Sequence, residues 1–161
     1  RYDAQAFAAE GHKRLPTEAQ WARAACGDGN AKQSYPWSGP WDGTQANVMG
    51  STDGYEDLAP VGTFNKTDCS EFGCFDMAGN AQEWTRSVYR PLPYDADAEC
   101  EDPWNLDFGI EVAVRGGHCR ASLSQLSTRH KALYEAREPY LGFRCVRELP
   151  RTLDELAASL R

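Results

Sequence analysis

The stretch between about residues 27 and 110 most constrains how this chain folds, because it shows neither helical nor strand periodicity. Gly, Pro, Asn, Asp and Trp dominate it, and its apolar runs are as short as Ala59–Phe64. A connection of this length must be fixed to a core by side chains, disulfides or metal ions. Aromatic residues supply apolar area for that purpose: Tyr35, Trp37, Trp41, Tyr55, Phe64, Phe72, Phe75, Trp84, Tyr89 and Trp104. We therefore expect irregular loops held on a core, and no repeat architecture.

Helical patterns occur at three places, all near the ends of the chain. Tyr2–Glu10 is rich in alanine and stops at a glycine, which predicts a short helix. A second helix is predicted to begin after Thr17, because Thr17 and Gln20 have the spacing of a capping box, and to run to Gly27. Residues 150–161 contain another capping box and three leucines on one face, so we expect a C-terminal helix there.

Length and charge exclude several classes of protein. With 161 residues the chain fits one domain. Seventeen Lys and Arg against 24 Asp and Glu give a net charge of −7, and no segment forms a basic stripe, so we do not expect a nucleic-acid partner. Its apolar runs fall far short of the ~20 residues that a membrane-spanning helix needs, and we expect no membrane insertion.

The six cysteines point towards disulfides together with one or two buried thiols. This usage favours an extracytoplasmic location, although 15 full pairings remain open. A zinc site formed by Cys69, Cys74, His118 and Cys119 is the weaker alternative. Adjacent His and Cys side chains do not easily point at one ion.

Several strings in the chain occur in an order and at separations typical of one family. They are KRLPTEAQWARAA at 13–25, YPWSG at 35–39, APVGTF at 59–64, FGCFDMAGNAQEW at 72–84, VRGG at 114–117 and GFRCVR at 142–147. Together they resemble the sulfatase-modifying-factor family, whose founding member is the formylglycine-generating enzyme. The resemblance implies an α+β fold, a loop-rich variant of the C-type lectin-like fold with a small antiparallel sheet. It also implies that residues 1–149 are the C-terminal part of a longer domain, with the remaining N-terminal part as a partner.

The resemblance further implies two structural calcium ions, each held in one loop by two side chains and two backbone carbonyls. The first set is Asn47, Val48, Asp53 and Tyr55. The second set is Asp76, Gly79, Ala81 and Glu83. Hard oxygen ligands in flexible loops suit Ca²⁺. Taken singly, Asn47, Asp53 and Asp76 are better explained as turn formers, but the match of eight positions favours calcium.

The same resemblance gives a test for catalysis. Catalytic members hold copper with two cysteines that follow the RGG motif, because soft Cu(I) prefers thiolates. Ala121 and Leu126 occupy those two positions, and Gln82 and His118 also depart from the catalytic pattern. We therefore expect no copper and no catalytic residues. A displaced catalytic thiol at Cys119 is the alternative within this chain.

These features predict a non-catalytic, calcium-stabilised binding or accessory module with a protein, peptide or glycan ligand. The alternative is an oxidase of the formylglycine-generating or sulfoxide-synthase type that an upstream domain completes. The resemblance also implies a disulfide between Cys26 and Cys145, although Cys26 lies one residue later than the family's position.

Overall fold

The computed structural model describes residues 1–27, 34–93 and 110–148. Its helices are α1 (Tyr2–Glu10) and α2 (Glu18–Cys26), and its strands are β1 (Gln82–Val88), β2 (Glu111–Arg115), β3 (His130–Leu133) and β4 (Leu141–Phe143). The helix expected in residues 150–161 lies outside the described residues, as does Trp104. Within the described ranges, neither helix has the length and apolar character needed to cross a bilayer.

Both helices of the N-terminal region have the predicted boundaries. The Thr17 hydroxyl accepts a hydrogen bond from the Gln20 amide at 3.0 Å, and the Gln20 side chain accepts one from the Thr17 amide at 2.9 Å. This reciprocal capping box satisfies two backbone donors that a helix leaves unpaired at its start. At the other end Gly27 takes a φ of +68°, which a residue with a side chain rarely adopts.

The four strands form one mixed sheet in the order β3-β2-β1-β4. The pairs β1–β2 and β2–β3 are antiparallel, whereas β4 runs parallel to β1. The α+β class is therefore confirmed, but the expectation of a purely antiparallel sheet was wrong. Residues 134–140 carry the chain from β3 at one edge to β4 at the other, and Tyr134 and Ala136 pack on the sheet during this crossing. A crossover of this kind returns the chain in the same direction as β1.

Two apolar clusters lie on opposite sides of the sheet. The first joins α1 to one face through Ala4, Leu15, Trp84, Val112 and Val114. The second combines Trp21 and Ala25 of α2 with loop residues far apart in sequence: Ala46, Met77, Ala78 and Leu126. The described loops around residues 46 and 77–78 therefore share a core with α2, which fixes them despite their lack of regular secondary structure.

The contact between α2 and the sheet is polar and buried. Glu18, 3% exposed, accepts hydrogen bonds from Arg129 at 2.6 and 2.7 Å and lies 3.4 Å from Arg115. The Glu18 amide donates to the Ser87 hydroxyl at 2.8 Å. These bonds fix the start of α2 over β1 and β2.

The implied disulfide between Cys26 and Cys145 is not formed in the structure, and both residues are free thiols. Successive helical residues are about 100° apart around the axis, so the one-residue offset turns Cys26 away from the position that the family uses. Ala25 stands at that position and is buried in the second cluster. Cys69, Cys74 and Cys119 are free as well.

We predict that Glu18→Gln lowers the free energy of unfolding by roughly 3–5 kcal/mol, because the substitution removes a buried negative charge that pairs with two arginines. Glu111→Gln is the matched control. Its carboxylate pairs with Lys131 on the surface, so it should change stability by less than about 1 kcal/mol. Urea denaturation of both variants tests this, and equal effects would contradict the role given to Glu18.

Candidate functional site

The two predicted calcium loops meet at the side chain and backbone of Asn80. Its backbone amide donates to the backbone carbonyl of Asn47 at 2.8 Å. Its side chain accepts from the Ala59 amide at 2.9 Å and donates to the Ala59 carbonyl at 3.2 Å. Its carbonyl accepts from the Cys119 amide at 3.0 Å. Asn80 has a φ of +68°, a conformation that asparagine tolerates better than most residues. This residue therefore joins three loops, a role the motif alone did not reveal.

Two motif glycines permit this close approach of backbones. A Cβ at Gly79 would lie 2.5 Å from the Asn47 carbonyl oxygen, and a Cβ at Gly117 would lie 2.6 Å from the Ala78 carbonyl oxygen. Both distances are too short for any side chain. The glycines of the AGN and RGG strings are thus needed for packing between loops.

Asn47 and Val48 lie in the interior of the first loop. Asn47 is 1% exposed and donates through Nδ2 to the Asp57 carbonyl at 2.8 Å and to Asn80 at 3.2 Å. These bonds orient the amide and leave Oδ1 without a donor among the described residues. The Val48 carbonyl accepts one hydrogen bond from the Ser51 amide at 3.1 Å.

Asp53 and Tyr55 lie at the other end of the first loop. Asp53 Oδ1 accepts from the Tyr55 amide at 2.9 Å, whereas its Oδ2 is buried and finds no donor among the residues described. A carboxylate oxygen removed from water without a hydrogen bond is costly. This orphaned oxygen is the feature of the first loop that best fits a bound cation.

The two acids of the second loop differ in how far their oxygens are already hydrogen-bonded. Asp76 Oδ2 accepts from the Gly62 amide at 2.7 Å, and Oδ1 is buried without a described donor. Glu83 is already engaged: Arg144 donates to both of its oxygens at 2.5 and 2.6 Å, and the Trp21 indole donates at 2.7 Å. A guanidinium therefore holds the place next to Glu83 that a metal ion would need.

The other two predicted ligands of the second loop, Gly79 and Ala81, lie on either side of Asn80, and Ala81 directly precedes β1. Within the described ranges no three His, Cys, Asp or Glu side chains converge to form a metal site. Each predicted loop supplies at most two carboxylates and depends otherwise on amide and carbonyl oxygens.

Asp68 is a functional candidate that sequence reasoning missed. It is 1% exposed and accepts hydrogen bonds from the amides of Met77 and Ala78 at 3.0–3.1 Å. Burial raises the pKa of its carboxyl to about 7, with the negative charge of Asp76 adding to the effect. Asp68 thus pins the segment that contains Asp76, a role that only long-range contacts reveal.

Neither position of the family's cysteine pair offers a metal ligand. Leu126 is 1% exposed and packs in the second apolar cluster beside Trp21 and Met77. Ala121 contributes a backbone carbonyl that accepts from the Met49 amide at 2.9 Å, which ties this segment to the first loop.

Cys119 lies in a cluster of polar side chains on the same segment. Its thiol is 4.0 Å from Asp57, which also pairs with Arg120 at 3.3 Å. His118 stacks on Tyr140 with the ring centres 5.5 Å apart. Burial and the neighbouring Asp57 raise the pKa of the Cys119 thiol, and burial lowers the pKa of His118. A protonated thiol beside a carboxylate is a poor nucleophile and a poor metal ligand.

The mixed sheet, the capped helix α2 and the close contact between the loops of the AGN and RGG strings define a formylglycine-generating-enzyme type of domain. The chain belongs to the family of sulfatase-modifying factor enzyme 1-like domains, whose model matches residues 1–149.

Similar proteins include one that is named as inactive and one that is named as a formylglycine-generating enzyme. The chain is 31% identical over 162 residues to the inactive C-alpha-formylglycine-generating enzyme 2 of Mus musculus, covering 96% of this chain and 49% of that protein. It is 31% identical to the formylglycine-generating enzyme of Streptomyces coelicolor, covering 91% and 50%. PvdO from Pseudomonas aeruginosa superimposes with a TM-score of 0.74 at 26% identity, covering 92% of this chain and 59% of PvdO. The chain thus spans about half the length of these curated relatives.

We predict a pH dependence of stability from Asp68. Its pKa is about 7 in the folded chain and about 3.9 when unfolded, so between these values the folded state binds more protons. The contribution of Asp68 to the free energy of unfolding should therefore fall as pH rises from about 4 to 7 and then level off. Unfolding curves of wild type and Asp68→Asn across this range test it, with the exposed Glu56→Gln as control. A wild-type slope unchanged by Asp68→Asn would refute it.

Proposed function

We propose that this domain is a non-catalytic, calcium-stabilised binding or accessory module of the sulfatase-modifying-factor type. We also infer that its fold is a variant of the C-type lectin-like fold. A small mixed sheet, two helices and long ordered loops support this assignment.

The observation that carries the non-catalytic proposal is the burial of Leu126. A copper-binding thiolate at this position would have to stand in an apolar cluster, and isobutyl and methyl groups provide no metal bond. The protonated state favoured for Cys119 argues in the same direction. The similarity to a mammalian protein named as inactive is consistent with this proposal.

Calcium fits the first loop better than the second. In the first loop, Asp53 Oδ2 is a buried side-chain oxygen without a described donor, and Asn47 Oδ1 with the Val48 and Tyr55 carbonyls completes the expected set. Bound Ca²⁺ would supply the electrostatic partner that the buried Asp53 oxygen lacks. With a single carboxylate, this site should bind calcium weakly, in the range typical of extracellular modules at about 10⁻⁴–10⁻³ M.

The second loop offers Asp76 and the carbonyls of Gly79 and Ala81, but Glu83 shares both of its oxygens with Arg144. A second ion has to displace Arg144 or tolerate its charge. We therefore propose that the first loop carries the main calcium response.

We propose a protein, peptide or glycan as the ligand, with the remaining N-terminal part of the same domain as an intramolecular partner. The length of the relatives supports that partner. An extracytoplasmic location would provide millimolar calcium for a weak site, and we retain it as part of the proposal.

Calcium should stabilise the folded domain. At a hundredfold excess over Kd, binding adds about 2.7 kcal/mol, which raises the Tm by roughly 5–10 °C. Asp53→Asn should remove most of this increase, since it deletes the one carboxylate among the predicted ligands of the first loop. Thermal melts with calcium and with chelator measure both effects.

Glu56→Gln is the control for that experiment, because Glu56 is an exposed acid in the same loop and holds no described contact to the predicted ligands. Identical melting temperatures with calcium and with chelator would count against calcium binding. A full calcium shift in Asp53→Asn would move the site away from the first loop.

The domain should not convert a cysteine-containing sulfatase peptide to formylglycine, because no described side chain replaces the missing pair of thiolates. Mass spectrometry of the peptide after incubation with copper-loaded protein under oxygen tests this, with copper alone as control. Leu126→Cys with Ala121→Cys should gain little, because Gln82 and His118 also differ. Conversion above the copper control would favour the alternative, an oxidase, which the likeness to the Streptomyces enzyme keeps in consideration.

A further inference from the structure

We propose that the apolar surface around β4 is the interface that receives the remaining N-terminal part of the same domain. The inference rests on the proposed function, which includes that part as an intramolecular partner, and it names the surface that the part covers. Two open clefts flank β4, with volumes of about 530 and 440 Å³, and both are lined by Phe143. The exposed apolar side chains around them, which we call the β4 surface, are Phe7, Leu58, Val61, Phe75 and Phe143.

The side chains of the β4 surface are strongly exposed and lie together. Val61 is 90% exposed, Phe7 66% and Leu58 47%. Phe7 lies edge-on to Phe143 with the ring centres 5.7 Å apart, which connects α1 with β4 across the surface. Apolar side chains that are exposed singly are ordinary, whereas a contiguous group marks an interaction surface. The β4 surface therefore calls for a partner that removes it from water.

The β4 surface lies where residues upstream of this chain would enter. Arg1 lines the smaller cleft together with Ala4 of α1 and with Leu141 and Phe143 of β4. In a longer chain the residue before Arg1 is bonded to its backbone nitrogen, so the upstream segment starts beside this cleft. A short connection is enough to place that segment on the surface, and short connections cost little loop-closure entropy.

The lengths of the relatives favour the rest of the same domain as the occupant. This chain spans about half the length of the curated relatives to which it is similar. A domain of twice the size buries a larger fraction of its surface on folding, so the other half has to cover apolar area that this half leaves exposed. The β4 surface gathers such area in one place, which is why we assign the contact to it.

The backbone that carries the β4 surface is already fixed on both sides of the larger cleft. The Ala59 amide, close to Val61 in the chain, donates to the Asn80 side chain at 2.9 Å. On the other side, the Phe75 carbonyl accepts from Arg144 at 2.9 Å. A preformed surface loses little conformational entropy when its partner docks, which favours the contact.

The charged groups of the larger cleft are paired or buried, which suits an apolar partner. Glu83 and Arg144 line this cleft and form an ion pair with each other. Asp76 lines it as well, but this side chain is 8% exposed and accepts through Oδ2 from the Gly62 amide. Obligate interfaces resemble a domain core cut in half, and the apolar walls of this cleft have that character. The ligand of the proposed module then has to bind elsewhere.

Thiol labelling measures whether the β4 surface is covered. Val61→Cys places a reactive group on it, and Leu133→Cys is the matched control in β3, at the opposite edge of the sheet, where Leu133 is 46% exposed. Maleimide reaction is followed in this chain and in the longer natural chain that the lengths of the relatives imply, with peptide mapping to read each position. We expect the rate at position 61 to fall at least about tenfold in the longer chain, because a covered side chain reacts only when the contact opens. The rate at position 133 should change by less than about twofold.

A buried charge gives a second measurement. Val61→Asp should leave the Tm of this chain unchanged, because Val61 is 90% exposed. The same substitution should lower the Tm of the longer chain by roughly 5 °C or more, since the carboxylate is then removed from water without a partner. Leu133→Asp is the control and should shift the Tm of both chains equally.

Equal labelling rates at position 61 in the two chains, or equal Tm shifts from Val61→Asp, would each overturn this inference. A loss of reactivity at position 133 as large as that at position 61 would overturn the choice of this surface. A natural protein that begins at Arg1 would refute the interface together with the intramolecular partner. The calcium melts and the formylglycine assay test the rest of the proposed function separately. A domain that responds to calcium and leaves the sulfatase peptide unoxidised, yet keeps position 61 reactive in the longer chain, loses only this interface.

Discussion

The rest of the structure depends on the hydrogen bonds and the ion pair that the Glu83 carboxylate forms. Glu83 lies in β1, accepts a hydrogen bond from Trp21 of α2, and pairs with Arg144 at the end of β4. Arg144 in turn holds the Phe75 carbonyl. One carboxylate thus joins the helix, two strands and a loop, and a buried charge held by this many donors can persist away from water. The same engagement makes Glu83 a weak candidate for a calcium ligand.

Side chains bonded to backbone groups keep the irregular loops in place. Asn80 connects loops at residues 47, 59 and 119, while Asp68 binds the amides of Met77 and Ala78. Loops without ladder hydrogen bonds need such partners for their buried polar groups. The proposed calcium ions would therefore add to a framework that already has its own anchors, which is why we expect a shift in stability and no complete loss of fold without the ions.

The residues that follow the RGG string pack in the core and form contacts between loops. Leu126 contributes to the core around α2, Ala121 binds the backbone of Met49, and Arg120 pairs with Asp57. The contacts of Ala121 and Arg120 place the segment against the first predicted calcium loop. A core residue at one position of the cysteine pair is the physical basis for the proposal that the domain is non-catalytic.

The sequence by itself determined the family, the two helices with the capping box at Thr17, and the loop-rich character of the chain. Capping, helix termination and glycine spacing are local properties, so they can be predicted from neighbouring residues. The resemblance did not indicate that β4 runs parallel to β1, or that Cys26 and Cys145 stay apart. Only the tertiary structure decided that Glu83 pairs with Arg144, that Asp68 is buried beside Asp76, and that exposed apolar residues surround one cleft. Each of these depends on groups brought together from distant parts of the chain, and their burial and charge follow from that packing and not from any local pattern.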